Sequence, residues 1–207
     1  TLGDYVDLPS LKALSGNDVL NMTRLALNLS EYVNGVAERH AETSRRLFPG
    51  RLVHAITNGV HPTTWTGTSF AALYDRHAPG WQHEAQLLMR TDHIPDDEIW
   101  RAHTNQKQAL IKRIEIATQV QLDAALPIIG FARRMTEYKR PDLLFADLGR
   151  LRAIARKTPF QIVLAGKAHP RDIEGKRLIE RLHGFMRELQ DTIPIVYLPN
   201  YNIDIAL

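Results

Sequence analysis

Three short apolar runs alternate with two amphipathic segments in the second half of the chain. The runs are residues 126–132, 160–165 and 193–198, and each is apolar almost throughout rather than at every second position. Such runs are typical of parallel strands that are covered on both faces. The segments between them, 141–156 and 171–190, have the 3.6-residue period of helices. The pattern therefore predicts an α/β fold class with a Rossmann-like parallel βαβαβ unit.

Right-handed crossovers would place both of these helices on one face of the sheet, so earlier helices are needed for the other face. The first half of the chain supplies candidates. Asn17 and Asp18 are predicted to cap a helix that is apolar on more than one face, and a long helix is predicted over residues 95–117. Between them, Asn34-Gly35 predicts a turn or a helix break, and residues 51–57 predict a short strand.

The composition is that of a folded protein without cysteine chemistry. The 207 residues are 44% hydrophobic and 24% charged, with a net charge of +3 and no cysteine. Disulfides and thiolate metal sites are therefore excluded, and we predict no metal centre. No apolar run approaches the roughly 18 residues of a membrane span, so we expect no membrane partner. We also expect a cytoplasmic protein that does not bind nucleic acid. We interpret the two termini, Thr1 and Leu207, as cuts in a longer protein.

Candidate chemistry lies in the loops that follow the three strands, because ligands of an open parallel sheet bind at the carboxyl ends of its strands. The loop at 133–140 has four cations among eight residues, and Pro141 is predicted in the first turn of the helix that follows. Arginine forks, a lysine and a helix N-terminus together would hold phosphate. The alternative is a solvated basic loop. Lys167 and His169 in the second loop, and Tyr201 in the third, are weaker candidates.

Five sequence motifs stand out in these loops and earlier in the chain. The most distinctive is Gly-Phe-Ala-Arg-Arg-Met-Thr-Glu-Tyr-Lys-Arg at 130–140. The others are Asn-Met with Val-Asn-Gly-Val-Ala and His within 21–40, Thr-Asn-Gly with Pro and Trp within 57–65, Gly-Lys-Ala at 166–168, and Asn-Tyr at 200–201. In identity and order these motifs resemble those of the α-glucan phosphorylases of glycosyltransferase family 35. The resemblance covers the chain from about residue 17 onward.

The resemblance implies a glycosyltransferase-B fold and phosphorolysis of α-1,4-glucans to glucose 1-phosphate with retention, with pyridoxal phosphate acting through its phosphate group. It implies that Arg134 holds the substrate phosphate and that Lys139, with Arg133, neutralises the cofactor phosphate. Tyr138 and Asn58 would contact the sugar. Two further residues would line the cofactor, namely Trp65 and Tyr201. The partners implied are the glucan and inorganic phosphate or glucose 1-phosphate, and the parent enzyme is expected to be a homo-oligomer.

The sequence also departs from the family. Arg133 stands where the mammalian-type pattern has lysine, and Asn202 stands where it has arginine, so one cation near the cofactor is missing. The cofactor lysine of the family lies beyond the Asn-Tyr motif, outside this chain. We therefore expect residues 1–58 to end the N-terminal domain, residues 59–207 to begin the C-terminal domain, and the isolated chain to be inactive without covalently bound pyridoxal phosphate.

Two other interpretations remain open at the level of sequence. A nucleotide-sugar glycosyltransferase of the same fold, similar to glycogen synthase, would also place arginine and lysine after a glycine-containing strand to hold a diphosphate. A non-catalytic fragment that binds anions or glucan is the other. The Glu-Tyr-Lys-Arg run and the Asn-Gly motifs favour the phosphorylase.

Overall fold

The computed structural model describes residues 7–16 and 19–207. The chain divides into two compact units, Thr1–Val60 and His61–Leu207, which are described separately here. The helix cap predicted at Asn17 and Asp18 lies outside the described residues. None of the helices within the described ranges is both long and apolar enough to cross a membrane.

The described part of the first unit contains three helices and a pair of very short parallel strands. Its elements are α1 (Leu8–Ser15), α2 (Met22–Leu29), β1 (Asn34–Gly35), α3 (Glu38–Leu47) and β2 (His54–Ala55). Asn21 caps α2 by accepting a hydrogen bond from the backbone N–H of Arg24 at 3.0 Å. The strand predicted over residues 51–57 is thus reduced to the two residues of β2.

The Asn34-Gly35 pair, predicted as a turn or a helix break, lies between two helices and forms a short strand. β1 pairs in parallel with β2, so that Asn34 lies opposite His54 and Gly35 opposite Ala55. A Cβ on Gly35 would lie 2.7 Å from the backbone nitrogen of Ala41, at the first turns of α3. Glycine is therefore required here because α3 approaches the backbone closely. In a sequence, a glycine needed for close packing looks the same as a glycine needed for a turn.

The second unit contains a three-stranded parallel sheet between helices. Its elements are α4 (Pro62–Trp65), α5 (Thr68–His77), a 3₁₀ segment (Ala85–Arg90), α6 (Asp96–Thr118), β3 (Ile128–Ala132), two 3₁₀ turns (Glu137–Lys139 and Leu143–Phe145), α7 (Leu148–Lys157), β4 (Gln161–Ala165), α8 (Ile173–Leu189), β5 (Ile195–Leu198) and α9 (Ile203–Ala206). The strand order is β3-β4-β5 with parallel pairing throughout. The predicted α/β class and parallel βαβαβ unit are confirmed.

Both faces of the central strand β4 are covered, as its apolar sequence predicts. Ile162 and Leu164 pack in one core with residues of α7 and α8. Val163 and Ala165, which alternate with them, pack in a second core with Ile111 and Ile114 of α6 and with β5. The prediction that an earlier helix covers the second face is confirmed, and α6 is that helix.

Two predictions about this unit are wrong. β3 was expected to be buried, yet Ile129 is 40% exposed, because within the described chain β3 pairs on one side only. The helix expected from residue 141 begins at Leu148 instead. The Asp147 carboxylate caps it by accepting from the N–H of Arg150 at 2.8 Å, and an aspartate at this position is a stronger start signal than Pro141.

Candidate functional site

The loops after β3 and β4 are joined by backbone hydrogen bonds at the carboxyl edge of the sheet. The N–H of Arg133 donates to the carbonyl of Ala165 at 3.0 Å, and the N–H of Met135 donates to the carbonyl of Lys167 at 3.2 Å. Arg134 lies between these two anchored residues. Its backbone is therefore held on both sides, although its side chain is exposed.

Gly166 is the point of closest approach between the two loops. Its φ of +148° is unfavourable for residues with a side chain, and a Cβ at this position would lie 2.0 Å from the carbonyl oxygen of Arg133. The first turn of α8 lies close to the same loops, since a Cβ on Gly175 would be 2.7 Å from the Met135 carbonyl oxygen. These two glycines thus allow the backbone of residues 133–140, called the basic loop below, to pack directly on its neighbours.

Three cations of the basic loop, and Lys167 of the next loop, have no counter-ion among the described residues. The side chains of Arg133, Arg134, Lys139 and Lys167 form neither ion pairs nor hydrogen bonds within residues 7–16 and 19–207. Other arginines of the chain do pair, for example Arg177 with Glu174 at 2.6 Å. Unpaired cations grouped at one sheet edge give a positive potential that attracts anions.

Lys139 and Tyr138 lie together in the 3₁₀ turn Glu137–Lys139. The Lys139 Nζ is 4.9 Å from the centre of the Tyr138 ring, and Tyr138 is 75% exposed. Cation–π contact of this kind orients the ammonium group without neutralising it. The ammonium group of Lys139 therefore has no anionic partner here that a ligand would have to displace.

The helix dipole that was predicted at this site is not supplied by α7. The Asp147 carboxylate already occupies the N-terminus of α7, eight positions after Lys139. The other nearby helix start, that of α8, is also capped, because Asp172 accepts from the N–H of Gly175 at 2.8 Å. Attraction for anions at the basic loop therefore comes from its side chains rather than from α7.

The structure shows local contacts for the three remaining predicted site residues. Tyr201 is partly buried and packs against the core that α6 forms with β4 and β5. Trp65 ends α4 and is 55% exposed, and no ring contact or hydrogen bond of the described residues connects it to the basic loop. Asn58 belongs to the first unit, where its N–H donates to the carbonyl of Val36 at 3.0 Å.

One residue near the loops was missed by the sequence reasoning. The Tyr197 hydroxyl on β5 donates to the carbonyl of Gly166 at 2.7 Å. Burial raises the pKa of this hydroxyl above its usual value of 10, so it remains a hydrogen-bond donor at neutral pH. A tyrosine in an otherwise aliphatic buried strand is itself a signal, because its hydroxyl needs a partner at the end of the ring.

Comparisons with known proteins identify sequence relatives of the chain. The model of the carbohydrate phosphorylase family matches residues 4–207. The chain is 34% identical to a glycogen phosphorylase of Aquifex aeolicus over 88% of its own length and 30% of that protein. It is also 34% identical to a maltodextrin phosphorylase of Thermococcus litoralis, over 91% of its own length and 26% of that protein.

The chain thus spans between a quarter and a third of the length of these relatives, and the match includes the strands, the basic loop and the Gly166 loop. Because the family model covers nearly every residue, the chain belongs to the carbohydrate phosphorylase family.

Proposed function

We propose that this chain is part of an α-1,4-glucan phosphorylase that releases glucose 1-phosphate from glycogen, starch or maltodextrin with retention of configuration. The observation that supports it most is the basic loop, whose arginines and lysine have no counter-ion among the described residues and whose backbone is tied to the next loop. The names of the relatives favour phosphorolysis over transfer from a nucleotide sugar. The parent enzyme would combine this segment with the rest of a glycosyltransferase-B fold.

Arg134 is the residue that we place against the substrate phosphate. A guanidinium group presents two parallel N–H donors that match two phosphate oxygens, and it keeps its charge at any physiological pH. The anchored backbone on either side of Arg134 fixes the origin of this side chain. Its role is to hold the phosphate in place and to stabilise the negative charge that develops on it.

Lys139, with Arg133, would neutralise the phosphate of pyridoxal phosphate, which supplies the acid–base phosphate group of the reaction when bound. The residues present fit such a group, because both cations lack ion-pair partners among the described residues and lie in the same loop as Arg134. Two phosphates repel each other, so cations at this loop would allow them to approach.

Four further assignments complete the proposal. Tyr138 and Asn58 would contact the sugar, and Trp65 and Tyr201 would line the cofactor. The division of the chain into units near residue 60 supports our proposal that residues 1–58 end one domain and residues 59–207 begin the next.

The test uses the full-length enzyme that contains this segment and measures glucose 1-phosphate formed from a maltooligosaccharide and inorganic phosphate. We expect Arg134→Ala to lower kcat/KM for phosphate by about 100-fold or more, the order of loss that follows removal of a single oxyanion-hole donor. Arg177→Ala on α8 is the matched control, because it removes an exposed arginine outside the loop. Absence of phosphate-dependent product in the wild-type enzyme, or equal activity of the two variants, would refute the proposal.

A further inference from the structure

Three consecutive carbonyl groups at the end of β4, those of residues 165–167, each accept one hydrogen bond from a neighbouring segment. The carbonyl of Ala165 accepts from Arg133 N–H, and that of Lys167 accepts from Met135 N–H. The carbonyl between them, that of Gly166, accepts from the Tyr197 hydroxyl at 2.7 Å. The two outer bonds hold the basic loop, and the middle bond comes from a side chain.

The Tyr197 side chain is held in place by the core on the α8 side of the sheet. It is partly buried against the residues of that core and lies beside Leu164 in the strand register. The ring of His183, on α8, is 5.0 Å from the Tyr197 ring. The ring is therefore fixed by packing, and its hydroxyl reaches the end of the neighbouring strand with little freedom.

The bond to the Gly166 carbonyl determines the orientation of the Gly166–Lys167 peptide. Glycine has few steric restrictions of its own, so a peptide that follows it needs an external contact to take one orientation. Lys167 is the next residue, and its carbonyl anchors Met135, the neighbour of Arg134. A rotation of this peptide would displace that anchor.

We propose that Tyr197 is a positioning residue for the basic loop. It acts through the Gly166–Lys167 peptide and Met135 to fix the backbone of Arg134. This inference rests on the proposed function of Arg134. The hydroxyl group is the relevant part of the side chain, since a phenylalanine would keep the ring packing and lose the hydrogen bond alone.

The experiment compares Tyr197→Phe with Tyr74→Phe in the full-length enzyme. Tyr74 is a partly buried tyrosine that packs on Trp81, and its hydroxyl has no hydrogen bond among the described residues. We expect Tyr197→Phe to raise KM for inorganic phosphate by about fivefold, the effect of one ordinary hydrogen bond, with KM for the maltooligosaccharide unchanged. Tyr74→Phe is expected to leave both constants unchanged.

A second measurement on the same proteins does not depend on activity. Hydrogen–deuterium exchange followed by mass spectrometry should show faster exchange in the peptide that contains Met135 in Tyr197→Phe, and no change there in Tyr74→Phe. A purely structural role would instead raise both KM values together or speed exchange throughout β4 and β5.

The outcomes separate the two proposals. Equal phosphate KM values for Tyr197→Phe and the wild type, or a parallel rise in both KM values, would overturn the role of Tyr197 and leave that of Arg134 intact. If the wild-type enzyme forms no glucose 1-phosphate, the proposed function fails and this inference fails with it.

Discussion

Replacement of Gly166 by alanine is the most severe small change that the structure allows near the site. The new Cβ would be placed 2.0 Å from the carbonyl oxygen of Arg133, a backbone atom that cannot turn away as a side chain can. The backbone of Gly166 also has a φ of +148°, which alanine adopts only with strain. The variant must therefore move one of the two loops.

The expected cost follows from two contributions. Holding a non-glycine residue in this backbone region costs about 2 kcal/mol. Separating the loops enough to relieve the clash weakens the bonds from Arg133 to Ala165 and from Met135 to Lys167, each of which contributes about 1 kcal/mol. We therefore expect the free energy of unfolding to fall by about 3–4 kcal/mol, and Tm by about 10 °C for a chain of this length.

Urea unfolding of the 207-residue chain, followed by far-UV circular dichroism, measures this cost. Gly184→Ala is the matched control, because Gly184 lies in α8 and has no atom within 4 Å of the position that its Cβ would take. Alanine should stabilise that helix by up to about 1 kcal/mol. If Gly166→Ala unfolds at the same urea concentration as the wild type, the close approach of the two loops does not exist in solution.

Two further predictions concern residues outside the site. Arg76 and His77 hydrogen-bond to the Glu98 carboxylate and lower its pKa below the usual 4.5. The stability that ionised Glu98 contributes is therefore present above pH 4.5 and is lost as the pH falls through the lowered pKa. Glu98→Gln should therefore reduce the loss of unfolding free energy between about pH 6 and pH 3. Identical urea midpoints for the variant and the wild type across this range would contradict the prediction. The buried Gln161 amide exchanges two hydrogen bonds with the backbone of Asp123, at 2.6 and 2.8 Å, so Gln161→Met should cost about 2 kcal/mol in urea unfolding. A change below about 0.5 kcal/mol would show that these bonds contribute nothing net.

The sequence predicted the sheet well because its strands have an unambiguous pattern. β4 is apolar at every position after Gln161, and a continuous apolar run of this kind is typical of a strand covered on both faces. The long helix α6 was also predicted closely, since Pro95 and three acidic residues mark its start. Both features depend on local sequence, and the rules for them are strong.

The errors occurred where one signal fits two structures. Glycine at position 35 is compatible with a turn or with close packing against a helix, and only the position of α3 distinguishes them. Pro141 and Asp147 are both acceptable helix starts, and the structure uses the second. β3 has the same apolar sequence as a central strand, but its exposure depends on which strands are present beside it.

The candidate site was predicted as a set of loops but not as a network. Parallel topology alone brings the loops of residues 133–140 and 166–170 to one edge, and the sequence was sufficient for that. The contribution of Tyr197 depends on its register, because it lies opposite Leu164 of β4. From there its hydroxyl reaches the carbonyl of Gly166, two residues after Leu164. Register of this kind is a tertiary property that a single strand does not encode.

The packing of α6 on the sheet limits how the chain can be divided. Ile111 and Ile114 of that helix cover Val163 and Val196, although α6 ends before β3, the first strand of this sheet. A shortened protein that started at residue 120 would retain all three strands and both crossover helices, but it would lose the α6 side chains that cover Val163 and Val196. An engineered boundary or domain fusion that keeps this cover therefore has to lie before Leu110, and one placed before Asp96 keeps α6 whole.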